Sequence, residues 1–219
     1  MKITLTVKIV SDVSCPWCAV GYHELKQAMN EFASEADSLL DVEISWLPFE
    51  INPDMSKEGQ DVASYLQQKY AMTSDAQRQT MAIIEGRGKA AGFEFKPMKG
   101  RHIYNSFDCH CLLDIAANSG LQTPLKVALF ELYFKHGGDI SDRQVLTECA
   151  LSVGLSQKDI NTAFGDERLR QAVVSQMTEI KQAGVTSVPT LIINDKYAIS
   201  GAQGVAGYKD ILRQVNESL

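Results

Sequence analysis

No run of 18 apolar residues occurs in the sequence, which excludes a hydrophobic helix of membrane-spanning length. An excess of basic charge is also missing. With 21 Lys and Arg against 27 Asp and Glu, the net charge of −6 favours solubility and argues against a nucleic-acid partner. The stretch from Met1 to Val10 has no unbroken apolar segment, because Thr4, Thr6 and Lys8 interrupt it. It does not read as a secretory leader, so the expected location is the cytoplasm, with no membrane partner. Internal repeats and low-complexity segments are absent. Cysteines are few: Cys15, Cys18, Cys109, Cys111 and Cys149, five in all. An odd number without a leader fits reduced thiols better than a disulfide scaffold. What is present is ordinary globular material. The 219 residues are 45% hydrophobic and 22% charged, enough for a normal core without cross-links.

Apolar Ile3, Leu5, Val7 and Ile9 alternate with Lys2, Thr4, Thr6 and Lys8, which predicts a first strand over Met1 to Val10. Leu25, Met29 and Phe32 recur at helical spacing, so a helix is expected from about Cys15 to Ala36. Val42, Ile44 and Trp46 alternate again and predict a second strand, completing a parallel strand–helix–strand unit. From Pro48 to Gly59 the chain reads as irregular. Helices are then expected near Val62–Tyr70, Asp75–Ala91, Tyr104–Asn118, Pro124–His136, Asp142–Val153, Gln157–Phe164 and Glu167–Ala183. Ser141, Ser156 and Asp166 stand as N-caps; Gly120, Gly137 and Gly154 stand as stops. A hairpin over Thr190–Ile193 and Tyr197–Ser200, turning at Asn194-Asp195, precedes a last helix from Val205 to Leu219. One sheet built from both chain ends follows, as an α/β fold with a large inserted all-helical subdomain. The expected division is residues 1–55 and 184–219 for the sheet domain and 56–183 for the helical insertion.

Chemistry concentrates in Cys15-Pro16-Trp17-Cys18, at the end of a strand and the start of a helix. With Cys15 at the N-cap, Pro16 takes the first helical position, where a missing N–H costs nothing. The Cys15 sulfur then faces free backbone N–H groups and the positive end of the helix dipole, which favours the nucleophilic thiolate and a depressed pKa. Cys18, one turn on, is placed to resolve a mixed disulfide. A zinc half-site and two inert cysteines are the alternatives. A closed zinc site wants four ligands, and Cys109-His110-Cys111 is the only rival cluster, so no metal is expected. The second signal is Ser187-Val188-Pro189-Thr190 at the start of a β-branched strand; sequence leaves the Val188-Pro189 isomer open.

These two motifs, separated by a long helical insert, make the chain resemble the DsbA family of thioredoxin-like proteins, and within it the FrnE-like branch. Trp46-Leu47-Pro48-Phe49-Glu50-Ile51-Asn52-Pro53-Asp54-Met55, Asn105-Ser106-Phe107-Asp108 and Tyr197-Ala198-Ile199-Ser200-Gly201-Ala202-Gln203 extend the resemblance nearly end to end. It implies a thioredoxin-like fold, a cis Val188-Pro189 bond beside Cys15, and substrates that pair with the backbone before Pro189. The branch shades into kappa-class glutathione transferases and 2-hydroxychromene-2-carboxylate isomerases, which carry serine where Cys15 stands. Two cysteines favour dithiol chemistry.

The expected catalytic residues are therefore Cys15, Cys18 and Pro189. Pro16, Trp17 and Val188 are expected to touch substrate. Gly201, Ala202 and Gln203 could offer backbone N–H groups to a carboxylate such as that of glutathione, although an ordinary helix start is the favoured reading. Cys109 and Cys111 point to different helix faces and read as packing residues. His110 reads as solvated or satisfied rather than as a partner of Cys15. The expected activity is reduction or isomerisation of disulfides in proteins or small thiols, with no bound cofactor beyond glutathione as reductant or ligand. A glutathione-dependent transferase or isomerase and a non-enzymatic holdase are the competing functions. A homodimer is compatible with the sequence.

Overall fold

The computed structural model of the chain describes residues 3–35, 40–56, 58–97 and 100–217. Leu5, Val7 and Ile9 are buried in β1 (Ile3–Ser11), while Thr4 faces out. Met1, Lys2, Ala36, Ser218 and Leu219, which the expected elements included, lie outside the described residues. Helix α1 (Pro16–Glu35) leads to β2 (Leu40–Pro48), which pairs parallel with β1 from Ile3 opposite Leu40 to Ser11 opposite Pro48. Strand β5 (Thr190–Ile193) pairs antiparallel with the other edge of β1, and β6 (Tyr197–Ser200) closes the order β2-β1-β5-β6. Asn194 and Asp195 take left-handed φ values of 50° and 54°, the twist a two-residue hairpin prefers. The Asn194 carboxamide oxygen accepts from the Thr6 N–H at 3.0 Å, tying the hairpin to β1.

The chain between β2 and β5 is mainly helical: α2 (Val62–Tyr70), α3 (Ser74–Ala90), α4 (Phe107–Ala117), α5 (Gln122–Phe130), α6 (Arg143–Ser152), α7 (Gln157–Gly165) and α8 (Glu167–Gln182). The last helix, α9 (Gly204–Glu217), packs along α1, while α4, α5 and α8 pack on β2. Trp46 stitches sheet to insert. Its backbone N–H and C=O both bond the Gln122 carboxamide, and its indole Nε1–H donates to Thr123 Oγ1 at 2.9 Å. A single buried cluster runs from Leu5 and Ile9 through Trp46 to Leu112, Leu129, Leu146 and Val173. Among the described residues no helix is long and apolar enough to cross a membrane.

Four boundaries differ from expectation, each for a local reason. Helix α4 begins at Phe107 rather than Tyr104, because Asn105 accepts from the Phe107 N–H and anchors to the Pro53 carbonyl. The preceding His102–Ile103 is drawn off as β4, paired with β3 (Gln60–Asp61), a two-residue ladder too short to show periodicity. The helix expected from Pro124 starts at Gln122, since proline is tolerated in a first turn, and it widens into a π-helical turn over Glu131–Lys135. There the Phe134 carbonyl accepts from the Lys96 N–H. Ser156 and Asp166 cap α7 and α8 as read, but α6 is capped by Asp142 and not Ser141. The extended Asp142 backbone sets its carboxylate against the Gln144 N–H, while Ser141 bonds Asp139.

Candidate active site

At the end of β1 the chain must leave the sheet and start a helix within four residues. Asp12, 1% exposed, makes this turn. Its Oδ1 accepts from the Ser14 N–H at 3.0 Å and its Oδ2 from the Ile51 N–H at 2.7 Å, clamping the Cys15 loop to the chain after β2. The Asp12 carbonyl accepts from the Cys15 N–H. The Cys15 carbonyl accepts from the N–H groups of Cys18 and Ala19, which puts Cys15 at the cap and Pro16 at the first helical position. Cys15 is 5% exposed and Cys18 fully buried. The Val188–Pro189 bond is cis, and Cys15 Sγ lies 3.8 Å from the Val188 carbonyl oxygen. Gly21 is what lets α1 approach this segment: a Cβ there would stand 3.3 Å from Pro189 Cγ and Ala202 Cβ.

The two sulfurs titrate as one unit. The Cys15 thiol is held well above its ordinary value, first by its hydrogen bond to Cys18, then by burial and the Cys18 charge. Burial opposes ionisation of Cys18 as well. Hydrogen bonds from Cys15 and Ser11, the Lys126 charge and the Asp12 backbone N–H outweigh it and lower the Cys18 pKa. A cation and the Ser11 hydroxyl favour the charged form of the pair from the Cys18 side.

That cation is Lys126, fully buried on α5, with its Nζ 5.2 Å from the Trp46 ring centre and 5.1 Å from that of Phe130. Burial lowers its pKa, and the charges of Cys18 and Asp12 oppose that. His110 is not solvated, and the Phe49 backbone bonds one side of its ring. It is buried, its Nε2 has no hydrogen-bond partner among the described residues, and it lies 4.0 Å from Asp12 Oδ1. Burial, then Lys126, pushes its pKa down to about 4, so the imidazole is neutral. Cys109 and Cys111 diverge, Cys109 Sγ toward the Ile140 carbonyl and Cys111 Sγ toward Arg170. Burial holds Cys109 well above its ordinary value and pushes Cys111 up to about 12 and Cys149 to about 11.

Cys15 opens onto a cavity of about 660 Å³ between α1 and the insert. Pro16, Trp17 and Val188 stand on its wall; Pro189 packs behind, against α1. Tyr65, Met81, Ile84 and Phe134 supply apolar surface, and Glu50 and Arg101 are the buried ionisable side chains on the same wall. Trp17 is braced from outside by Arg87, whose guanidinium lies 5.1 Å from the ring centre and grips Glu24 with two 2.8 Å bonds.

Gly201, Ala202 and Gln203 are not brought to this cavity. Two donors there have partners: the Gly201 N–H bonds the Pro189 carbonyl, and the Gly204 N–H bonds Glu24 Oε2 at 3.0 Å.

The sequence matches the DSBA-like thioredoxin domain over residues 6–213. The chain belongs to that family. This DSBA-like chain is 29% identical over 208 residues to the uncharacterized protein YwbO of Bacillus subtilis, covering 92% of each. It superimposes on the crystal structure of a probable DsbA oxidoreductase from Streptomyces coelicolor with a TM-score of 0.86 and 28% identity, covering 96% of this chain and 89% of that one. It shares its fold with the cytosolic disulfide reductase DsbM from Pseudomonas aeruginosa, solved with GSH: TM-score 0.62, 17% identity, 97% and 99% covered.

Sequence reasoning missed Asp12, Glu50, Arg101 and Lys126. Lys126 left a trace, since it shares a helix face with Leu129 and Phe130, both buried. Glu50, flanked by Phe49 and Ile51, left a weaker one. Arg101 follows a glycine in irregular chain and left none.

Proposed function

We propose that the protein is a cytoplasmic thiol–disulfide oxidoreductase that reduces or isomerises substrate disulfides through Cys15 and Cys18. The observation that carries this is the pairing of two hydrogen-bonded thiols at a helix start, one opening to a cavity beside the Val188 carbonyl and the other sealed beneath it. Cys15 attacks as the thiolate once its proton has passed to Cys18 or to solvent. Its sulfur bonds one substrate sulfur, the substrate S–S bond breaks, and the departing sulfur takes the electron pair and a proton. Cys18 then attacks Cys15 Sγ and releases the second substrate thiol, leaving a Cys15–Cys18 disulfide. Two electrons from a thiol donor of the glutathione class restore the pair. Extended substrates would align on the Val188 backbone.

Lys126 and Ser11 favour the charged, reduced pair and so raise the potential, while burial opposes them. With no cation between the cysteines, the potential is expected to stay below about −200 mV, so that a cytoplasmic glutathione pool keeps the pair reduced. Equilibration in glutathione redox buffers measures it; a value near −120 mV, that of the strongest oxidants, would reverse the direction. In a Cys18→Ala protein, substrates should accumulate as mixed disulfides on Cys15. Absence of any such adduct, together with no reduction of insulin by dithiothreitol above the uncatalysed rate, would remove the reading.

A further inference from the structure

Arg101 on the cavity wall lacks the partner that a buried charge requires. Arg101, 9% exposed, has no hydrogen-bond partner for its Nε or Nη1 and no carboxylate within 4 Å among the described residues. Its guanidinium lies 5.5 Å from the Phe134 ring centre. Burial lowers its pKa, and the charges that favour its cation, Tyr133 and Glu85, act only at a distance. Glu50, also 9% exposed, leaves Oε1 without a partner, while Asn105 bonds the carboxyl and the Lys181 charge favours its anion. Leaving a buried charge uncompensated is costly, and a fold that retains one on a cavity wall gains when a counter-charge arrives from outside.

The rest of the wall limits what carries that counter-charge. Val62, Tyr65, Leu66, Met81, Ile84 and Phe134 make most of it apolar. At about 660 Å³ it has the size of a small-molecule site. We infer that the cavity is a substrate site for a small organic disulfide or thiol with an apolar body and a carboxylate, the carboxylate taken by Arg101 while the sulfur lies at Cys15. A planar guanidinium pairs bidentately with a carboxylate. The inference rests on the oxidoreductase reading for the word disulfide; the binding site itself does not.

The test uses ligands without sulfur, so that binding and redox chemistry separate. The full chain is reduced and treated with iodoacetamide, and alkylation of Cys15 is followed by peptide mass spectrometry in the presence of 3-phenylpropionate or its neutral amide. The acid should protect Cys15 saturably, and the amide should need roughly 10-fold or more higher concentration, the range expected for a hydrogen bond to a charged group. Arg101→Met should abolish the difference and Arg101→Lys should keep part of it. Equal protection by acid and amide in the unaltered protein, or protection by neither, overturns the inference without reference to any variant. Selective protection in a protein that fails to reduce insulin would keep the anion site and discard the redox reading.

Discussion

Two clusters of ionisable groups in this protein are treated in opposite ways. On the outer face of the insert, Asp108 of α4 is gripped by Arg143 of α6 and Arg170 of α8, each with a 2.6 Å contact. Burial alone would raise the Asp108 pKa, but the two arginines hold it below the ordinary carboxylate value. At the cavity, the Lys181 charge and a hydrogen bond to Asn105 favour the Glu50 anion but do not offset its burial. Burial, then the Asp12 charge, pushes its pKa up to about 7, and Arg101 on the same wall goes unpaired. The outer cluster closes on itself and holds three helices together. The inner one is left open, and open buried charge marks the place where a ligand is to complete the structure.

The comparison breaks first at the sulfur. Cys15→Ser should reduce insulin reduction to the uncatalysed rate while leaving the unfolding midpoint nearly unchanged; retained turnover would move the nucleophile elsewhere. Next in size is Asp12, the structural member of the inner cluster. Asp12→Ala strands the Ser14 and Ile51 N–H groups and should cost about 3 kcal/mol in urea unfolding. A loss under about 1 kcal/mol would show that water replaces the carboxylate easily.

Glu50 gives a smaller effect with a definite sign. Its folded pKa, about 7, lies above the ordinary 4.5, so the folded chain binds more protons between those values. Stability from this group is therefore full below pH 4.5, falls as pH rises to 7, and stays lost above. Glu50→Gln should stabilise the protein at pH 8 by roughly 2 kcal/mol, discounted for water at the cavity mouth, and by little at pH 4.5. Thermal unfolding at the two pH values checks it; an equal gain at both would point to packing instead. The smallest effect belongs to the outer cluster. Arg143 is half exposed, and Arg143→Ala should cost no more than about 1 kcal/mol, with Arg170 still holding Asp108. A larger loss would mean that the outer cluster is more than a surface clasp.

The difference between the clusters also explains what was legible. Strands and helices announce themselves through periodic apolar residues, so β1, α1, β5 and the long helices stood out from Leu5-Val7-Ile9 or Leu25-Met29-Phe32. The redox motif was legible because adjacent residues carry both the chemistry and the helix start. Arg101 and Glu50 are brought onto one wall by the β3–β4 ladder and the chain after β2, contacts with no local periodicity. The cation beside Cys18 was hidden for the same reason, since Lys126 arrives from a helix more than a hundred residues away.

The sheet's use of both chain ends has a consequence for synthesis. Cys15 and the Val188 carbonyl beside it are 173 residues apart. A ribosome making about 5–20 residues per second exposes the thiols first and the covering strand many seconds later. During that interval β1 has one open edge and the dithiol has no groove to select its partners. Until β5 docks, Cys15 stands without the Val188 carbonyl and with an open strand edge beside it.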